Sequence, residues 1–123
     1  MSVLVTDQGF APVPALPETG VADLAHTDDP AGLDLAGLTL IRVHVPAFSD
    51  GRGFTIGRRL RMLGYTGELR AVGPIIADQY PMARRVGFDE VEIPDDLAAR
   101  QPEAQWKFRA NWQAHDYQSR LRA

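Results

Sequence analysis

Three short β-rich segments restrict this chain more than any other feature. In residues 38–46 (LTLIRVHVP), 68–72 (ELRAV) and 90–93 (EVEI), apolar and charged side chains alternate. Ile41, Val43, Val45, Leu69, Ala71, Val91 and Ile93 then fall on one face of a sheet, and Arg42, His44, Glu68, Arg70, Glu90 and Glu92 on the other. Only one face is greasy, whereas a sheet covered by helices on both faces needs strands that are apolar throughout. Helical segments separate the strands. Ile56, Leu60 and Leu63 recur at helical spacing until Gly64, and a second helix opens near Asp78, a favoured N-cap residue, tolerates Pro81 in its first turn and ends at Gly87. Each exit pairs a glycine with an aromatic, Gly64-Tyr65 and Gly87-Phe88, which reads as a weak βα repeat. Right-handed crossovers in the order 1-2-3 put both helices on one side. The fold class that follows is α/β: a small singly wound parallel βαβαβ sheet of order 1-2-3, a barrel-like fragment with an N-terminal arm and a C-terminal helix. The register of 68–72 is critical, because a slip of one residue would exchange its two faces.

A chain of 123 residues is the size of one domain. Residues 1–35 read as an arm and connector, led by a hairpin or strand near Val3 and followed by Pro12, Pro14, Pro17 and Gly20. Residues 38–94 are the βαβαβ core. Residues 95–123 form a helical tail, capped at Asp95 and restarted at Pro102, in which Ala104, Phe108, Trp112 and His115 share a stripe with Trp106 and Ala110 beside it. Such a stripe is expected to be core or interface, covering the polar sheet face or packing on another chain.

Composition excludes several chemistries. Without cysteine the chain has no disulfide, no thiolate-ligated metal and no thiol nucleophile. Its apolar runs fall far short of the roughly 20 residues of a membrane helix. The opening MSVLVTDQGF lacks a basic leader head, so a cytoplasmic location and no membrane association are expected. Charge is uneven: residues 1–49 carry −5, residues 50–85 carry +4 and residues 86–123 carry −2. The middle third is a cationic island of Arg52, Arg58, Arg59, Arg61, Arg70, Arg84 and Arg85. It suits a small anion, but its acidic flanks disfavour nucleic acid. His26, His44 and His115 are scattered without metal-ligand spacing, and no metal site is expected. His44 reads as a partner of Glu68 or Glu92.

The segment 49–55, SDGRGFT, joins the carboxyl end of a strand to a helix start, the edge where α/β sheets hold ligands. Gly51 and Gly53 let backbone N–H groups approach an anion, the helix dipole adds positive charge, and Arg52 offers a planar fork. The plainer alternative has Asp50 capping the helix and the glycines making a tight turn. The second corner carries Asp78 and Gln79. If the two units are neighbours, Asp50, Arg52, Asp78 and Gln79 converge on one rim, with Asp50 and Asp78 as a candidate catalytic carboxylate pair. Asp78 is otherwise a plain helix cap. No dinucleotide or Walker pattern is present, so the cofactor stays unassigned.

The blocks Phe48 to Thr55, Leu60 to Gly73, Asp78-Gln79 and Arg85 to Asp89, in that order, resemble a bacterial family known as domain of unknown function nine-three-four. The likeness covers residues 38–94, and the closing Tyr117-Gln118 is similar as well. Members carry an oxidoreductase label and tend to be encoded beside sulfite reductase, so the resemblance implies a place in sulfite or sulfate assimilation. Its shared polar positions are Asp50, Arg52, Arg70, Asp78 and Gln79. Pro74 stands where the family usually has an acid, and Val86 where a cysteine is common, so neither side chain is essential here. Two expectations follow. In one, an accessory protein or enzyme of sulfite and sulfate metabolism binds a small oxyanion or phosphorylated ligand through Gly51, Arg52, Gly53, Arg70 and Gln79. In the other, a non-enzymatic module docks on a sulfite-reductase-type partner or pairs with itself as a homodimer through its charged sheet face and aromatic tail.

Overall fold

The computed structural model describes residues 2–47 and 51–110. The strands are β1 (Ser2–Thr6), β2 (Gly9–Pro12), β3 (Val21–Ala25), β4 (Leu40–His44), β5 (Glu68–Val72) and β6 (Glu90–Pro94). The helices are α1 (Arg52–Met62), α2 (Tyr80–Val86), α3 (Asp95–Arg100) and α4 (Glu103–Arg109). All six strands form one sheet in the order β2-β1-β6-β5-β4-β3. The strands β4, β5 and β6 are parallel neighbours, β3 adds in parallel outside β4, and β1 and β2 add antiparallel beyond β6.

The sheet is therefore mixed, which corrects the purely parallel expectation. Residues 1–35 are not merely an arm, since they supply three of the six strands. The reason lies in pairing. VADLA has little intrinsic strand preference, and β3 becomes a strand by laying its backbone along β4. The β1–β2 hairpin places fully buried Val5 opposite Val91.

The alternation across β4, β5 and β6 sets the core. Ile41 stands beside Leu69, and Val43 beside Ala71 and then Val91, and all five are fully buried. Helix α1 packs on β4 and β5 through Phe54, Ile56 and Leu60, α2 packs on β6, and the two helices touch each other. Phe54 and Phe88 meet with ring centroids 6.0 Å apart. Leu63, expected on the buried stripe, is half exposed because α1 ends at Met62. Gly64 and Gly87 follow their helices in the left-handed region (φ 98° and 117°), and a β-carbon on Gly87 would also strike the Arg61 side chain. In the tail, Leu97 and Trp106 are buried, and Trp106 lies edge-on to Tyr80 at 6.1 Å. Helix α4 packs against β2 and α2, so this part of the tail does not cover the charged sheet face. Trp112, His115, Tyr117 and Gln118 lie outside the described residues.

Candidate functional site

At the carboxyl rim, the ends of the parallel strands are close. Val45 N donates to Val72 O (2.8 Å), and Gly73 N to Glu92 O (3.0 Å). Gly73 has φ 145°, and a β-carbon there would collide with the Val45 carbonyl, so glycine lets the two corners touch. Asp50, with Phe48 and Ser49, lies outside the described residues, and the proposed carboxylate pair is seen only at Asp78. Helix α1 begins with Gly51 as its N-cap and has no acid in its first turn. Arg52 is exposed on that first turn. Gly53 is buried, and a β-carbon there would lie 2.7 Å from Val45 Cγ2, so close helix-to-strand packing alone accounts for it. Among the described residues nothing crowds Gly51. A cavity of about 360 Å³ beside it is lined by Gly51, Phe54, Thr55, Arg58, Met82 and Val86.

The second corner turns another way. Asp78 sits inside a short 3-10 turn, Ala77–Gln79, that runs into α2, and its carboxylate pairs with Arg109 at 2.9 Å rather than capping the helix. That pair lines a separate cavity of about 330 Å³ with Ala104, Gln105 and Phe108 of α4. Gln79 Oε1 accepts from Ile76 N at 3.2 Å, within its own turn. The turn is also held from outside, since Gln101 Oε1 accepts from Ala77 N at 2.7 Å. Gly51 and Asp78 thus line different cavities. Arg109 and Gln101 were missed by sequence reasoning, which had no way to bring the tail against the second corner.

Arg70 is elsewhere again, on the charged sheet face and 2% exposed. Its Nη1 donates to Glu92 Oε1 (3.2 Å), its Nε lies 3.7 Å from Glu90 Oε1, and its Nη2 lies 3.9 Å from Glu68. Arg42 joins Glu92 (3.5 Å) to Asp23 (3.1 Å). Asp23 also meets His44 Nε2 at 2.8 Å, so the histidine's partner is Asp23 and not Glu68 or Glu92. Among the described residues, Arg42 Nε, Arg70 Nε and Glu90 Oε1 are buried without a hydrogen bond. Pro14, Ala15, Leu16 and Pro17 cross this face and enclose about 190 Å³ above Thr39, Leu40, Glu68 and Arg70.

The cationic island disperses in three dimensions. Arg59 pairs with Asp29 (3.0 Å), Arg61 with Asp89 (3.0 Å) and Arg84 with Asp7 (3.1 Å). Arg61 also donates to the carbonyls of Gly87, Tyr65 and Gly67, tying α1 to both helix exits. The Asp29 carboxyl is held below its usual range by the Ala31 N–H and by Arg59. Burial, reinforced by the Asp7 carboxylate accepting its hydroxyl, raises the Tyr80 phenol, and burial raises Tyr65. No cluster of metal-ligating side chains occurs among the described residues. No helix among them is long and apolar enough to cross a membrane.

These features define a mixed α/β domain whose parallel strands end at a glycine-bearing helix start. Residues 21–123 match the family model described as bacterial protein of unknown function, DUF934, and the chain belongs to that family. The match begins at Val21, the first residue of β3. No curated protein and no solved structure matches the chain.

Proposed function

We propose that the start of α1 holds a small oxyanion of the sulfite, sulfate or phosphate type, as an accessory protein or enzyme of sulfite and sulfate assimilation. The carrying observation is the start of α1, where Gly51 is the N-cap beside a cavity of about 360 Å³ and exposed Arg52 follows on the first turn. Backbone N–H groups at a helix start, the positive end of the helix dipole and an arginine fork all favour an anion. This reading takes the βαβαβ unit as singly wound, with both helices over the apolar face and the α1 start at the carboxyl rim. Calorimetry with sulfite, sulfate and an adenine nucleotide tests it. At least a tenfold loss of affinity in Arg52→Ala is expected, and absent or equal binding in both proteins overturns it.

A second reading, a docking module for a sulfite-reductase-type partner, is favoured by Met82. That side chain is 52% exposed on the wall of the groove formed with Phe54 and Val86. Met82→Ala should weaken capture of such a reductase at least tenfold while leaving anion binding in place.

A further inference from the structure

The β1–β2 hairpin is joined to the rest of the molecule by a tether with little slack. Strands β2 and β3 occupy opposite edges of the six-stranded sheet, which sets them about 24 Å apart at the usual strand spacing. They are also staggered. Pro12 is level with Ile93 through Val3, near the carboxyl end of β6, whereas Val21 is level with Leu40 and Glu68 at the amino ends of β4 and β5. Nine Cα-to-Cα steps join Pro12 to Val21, and these reach at most about 30–32 Å when fully extended. The path must in addition arch over Leu40, Glu68 and Arg70. Pro14 and Pro17 keep it extended. Short connections under such constraint favour exchange of the element they tether.

The hairpin has what exchange requires, a seat formed by residues beyond its own tether. Val5 is fully buried, and β1 pairs with β6 from Ser2 opposite Pro94 to Val5 opposite Val91. Asp7 accepts from the Tyr80 hydroxyl (2.5 Å) and from Arg84 Nη2 (3.1 Å), and Glu103 accepts from Phe10 N (2.8 Å). The hairpin of a second copy would make the same contacts. Closing the tether within one chain also presses Pro14 to Pro17 onto the face where Arg70 Nε and Glu90 Oε1 are buried without a hydrogen bond among the described residues. The hairpin and tether lie outside the matched family unit, which starts at Val21.

We propose that residues 2–12 are exchanged between two copies of this chain, each hairpin seated on β6 of the other and residues 13–20 acting as the hinge. The chain has no cysteine, so the exchange can be read directly. Val3→Cys and Ile93→Cys, made in separate chains, are mixed, unfolded, refolded together and oxidised. An interchain disulfide between the two variants is expected, with a dimer by light scattering. A second measurement needs no cysteine. Four Gly/Ser residues inserted after Ala15 should lower the dimer fraction at least tenfold at equal concentration, because the hairpin then closes easily on its own chain. Removing Ala15 and Leu16 cuts the reach to about 23–25 Å and should leave only dimer. The proposal is overturned if the mixture forms no interchain disulfide while a Val3→Cys/Ile93→Cys double variant closes within one chain. A dimer fraction unmoved by the insertion overturns it as well.

Discussion

The two faces of the sheet are built from the same alternating strands and are closed by opposite means. The apolar face is covered by α1, α2 and Trp106 of α4, with interdigitating side chains. The charged face is crossed by a proline-bearing strap and carries Arg42, Arg70, Glu90 and Glu92 in one ion-pair network. Burial on the first face gains free energy from each apolar contact, whereas burial on the second must compensate the desolvation of each charge. Truncation on the first face therefore leaves a cavity, and truncation on the second leaves an unpaired charge.

The largest effects test that distinction. Trp106→Ala should cost about 3–5 kcal/mol, as large aromatic truncations in cores do. Arg70→Met should cost a similar amount, about 3–5 kcal/mol, because Glu90 loses its buried partner and Glu92 keeps only Arg42. The remedies differ. Adding Glu90→Leu and Glu92→Gln to Arg70→Met should restore most of the loss, since replacing a buried ion pair by apolar groups is often neutral and the amide oxygen at 92 still accepts from Arg42. Urea denaturation of the single and combined variants measures this. If the combined variant is no more stable than Arg70→Met alone, the charged face is not the electrostatic balance described here.

The same contrast explains what the sequence made legible. Alternation in β4, β5 and β6 marked the residues that these three strands give to the apolar face, and the pairing of Leu69 with Ile41 and of Ala71 with Val43 fixes the register of β5 on which the faces depend. The glycines after α1 and α2 were readable because the left-handed conformation favours glycine. β3 was not readable, since VADLA is a strand only beside β4. Neither was the strap, whose prolines mark an extended segment but not which surface it crosses. For the candidate site, a helix start after β4 was legible, but Gly53 was read as part of the turn and lies inside α1. The destination of Asp78 was not legible, because its partner Arg109 arrives from a helix 31 residues further on.

An intermediate effect probes the hairpin that joins the two faces. Asp7→Ala removes the acceptor of the buried Tyr80 hydroxyl and the partner of Arg84, and should cost about 1–3 kcal/mol. Alkaline pH tests the same contact without mutation. The Tyr80 phenol is raised above its ordinary value of 10.0, so the folded protein holds this proton more tightly than the unfolded chain. Its stabilisation is complete below pH 10 and is lost as pH rises towards the folded value, at about 1.4 kcal/mol per pH unit. Tyr80→Phe should flatten that part of the decline. Tyr65, raised by burial, leaves a residual slope.

The smallest effect separates stability from function at the carboxyl rim. If Arg52 is retained for an anion, Arg52→Ala should leave the stability of the ligand-free protein within about 0.5 kcal/mol, as substitutions at exposed positions do. The same change should remove most of the salt-sensitive anion affinity. Thermal unfolding with and without sulfate reads both at once. The two proteins should melt close together in sulfate-free buffer, and sulfate should raise the midpoint of the native protein alone. A midpoint that sulfate raises equally in both proteins, or in neither, would overturn the anion reading.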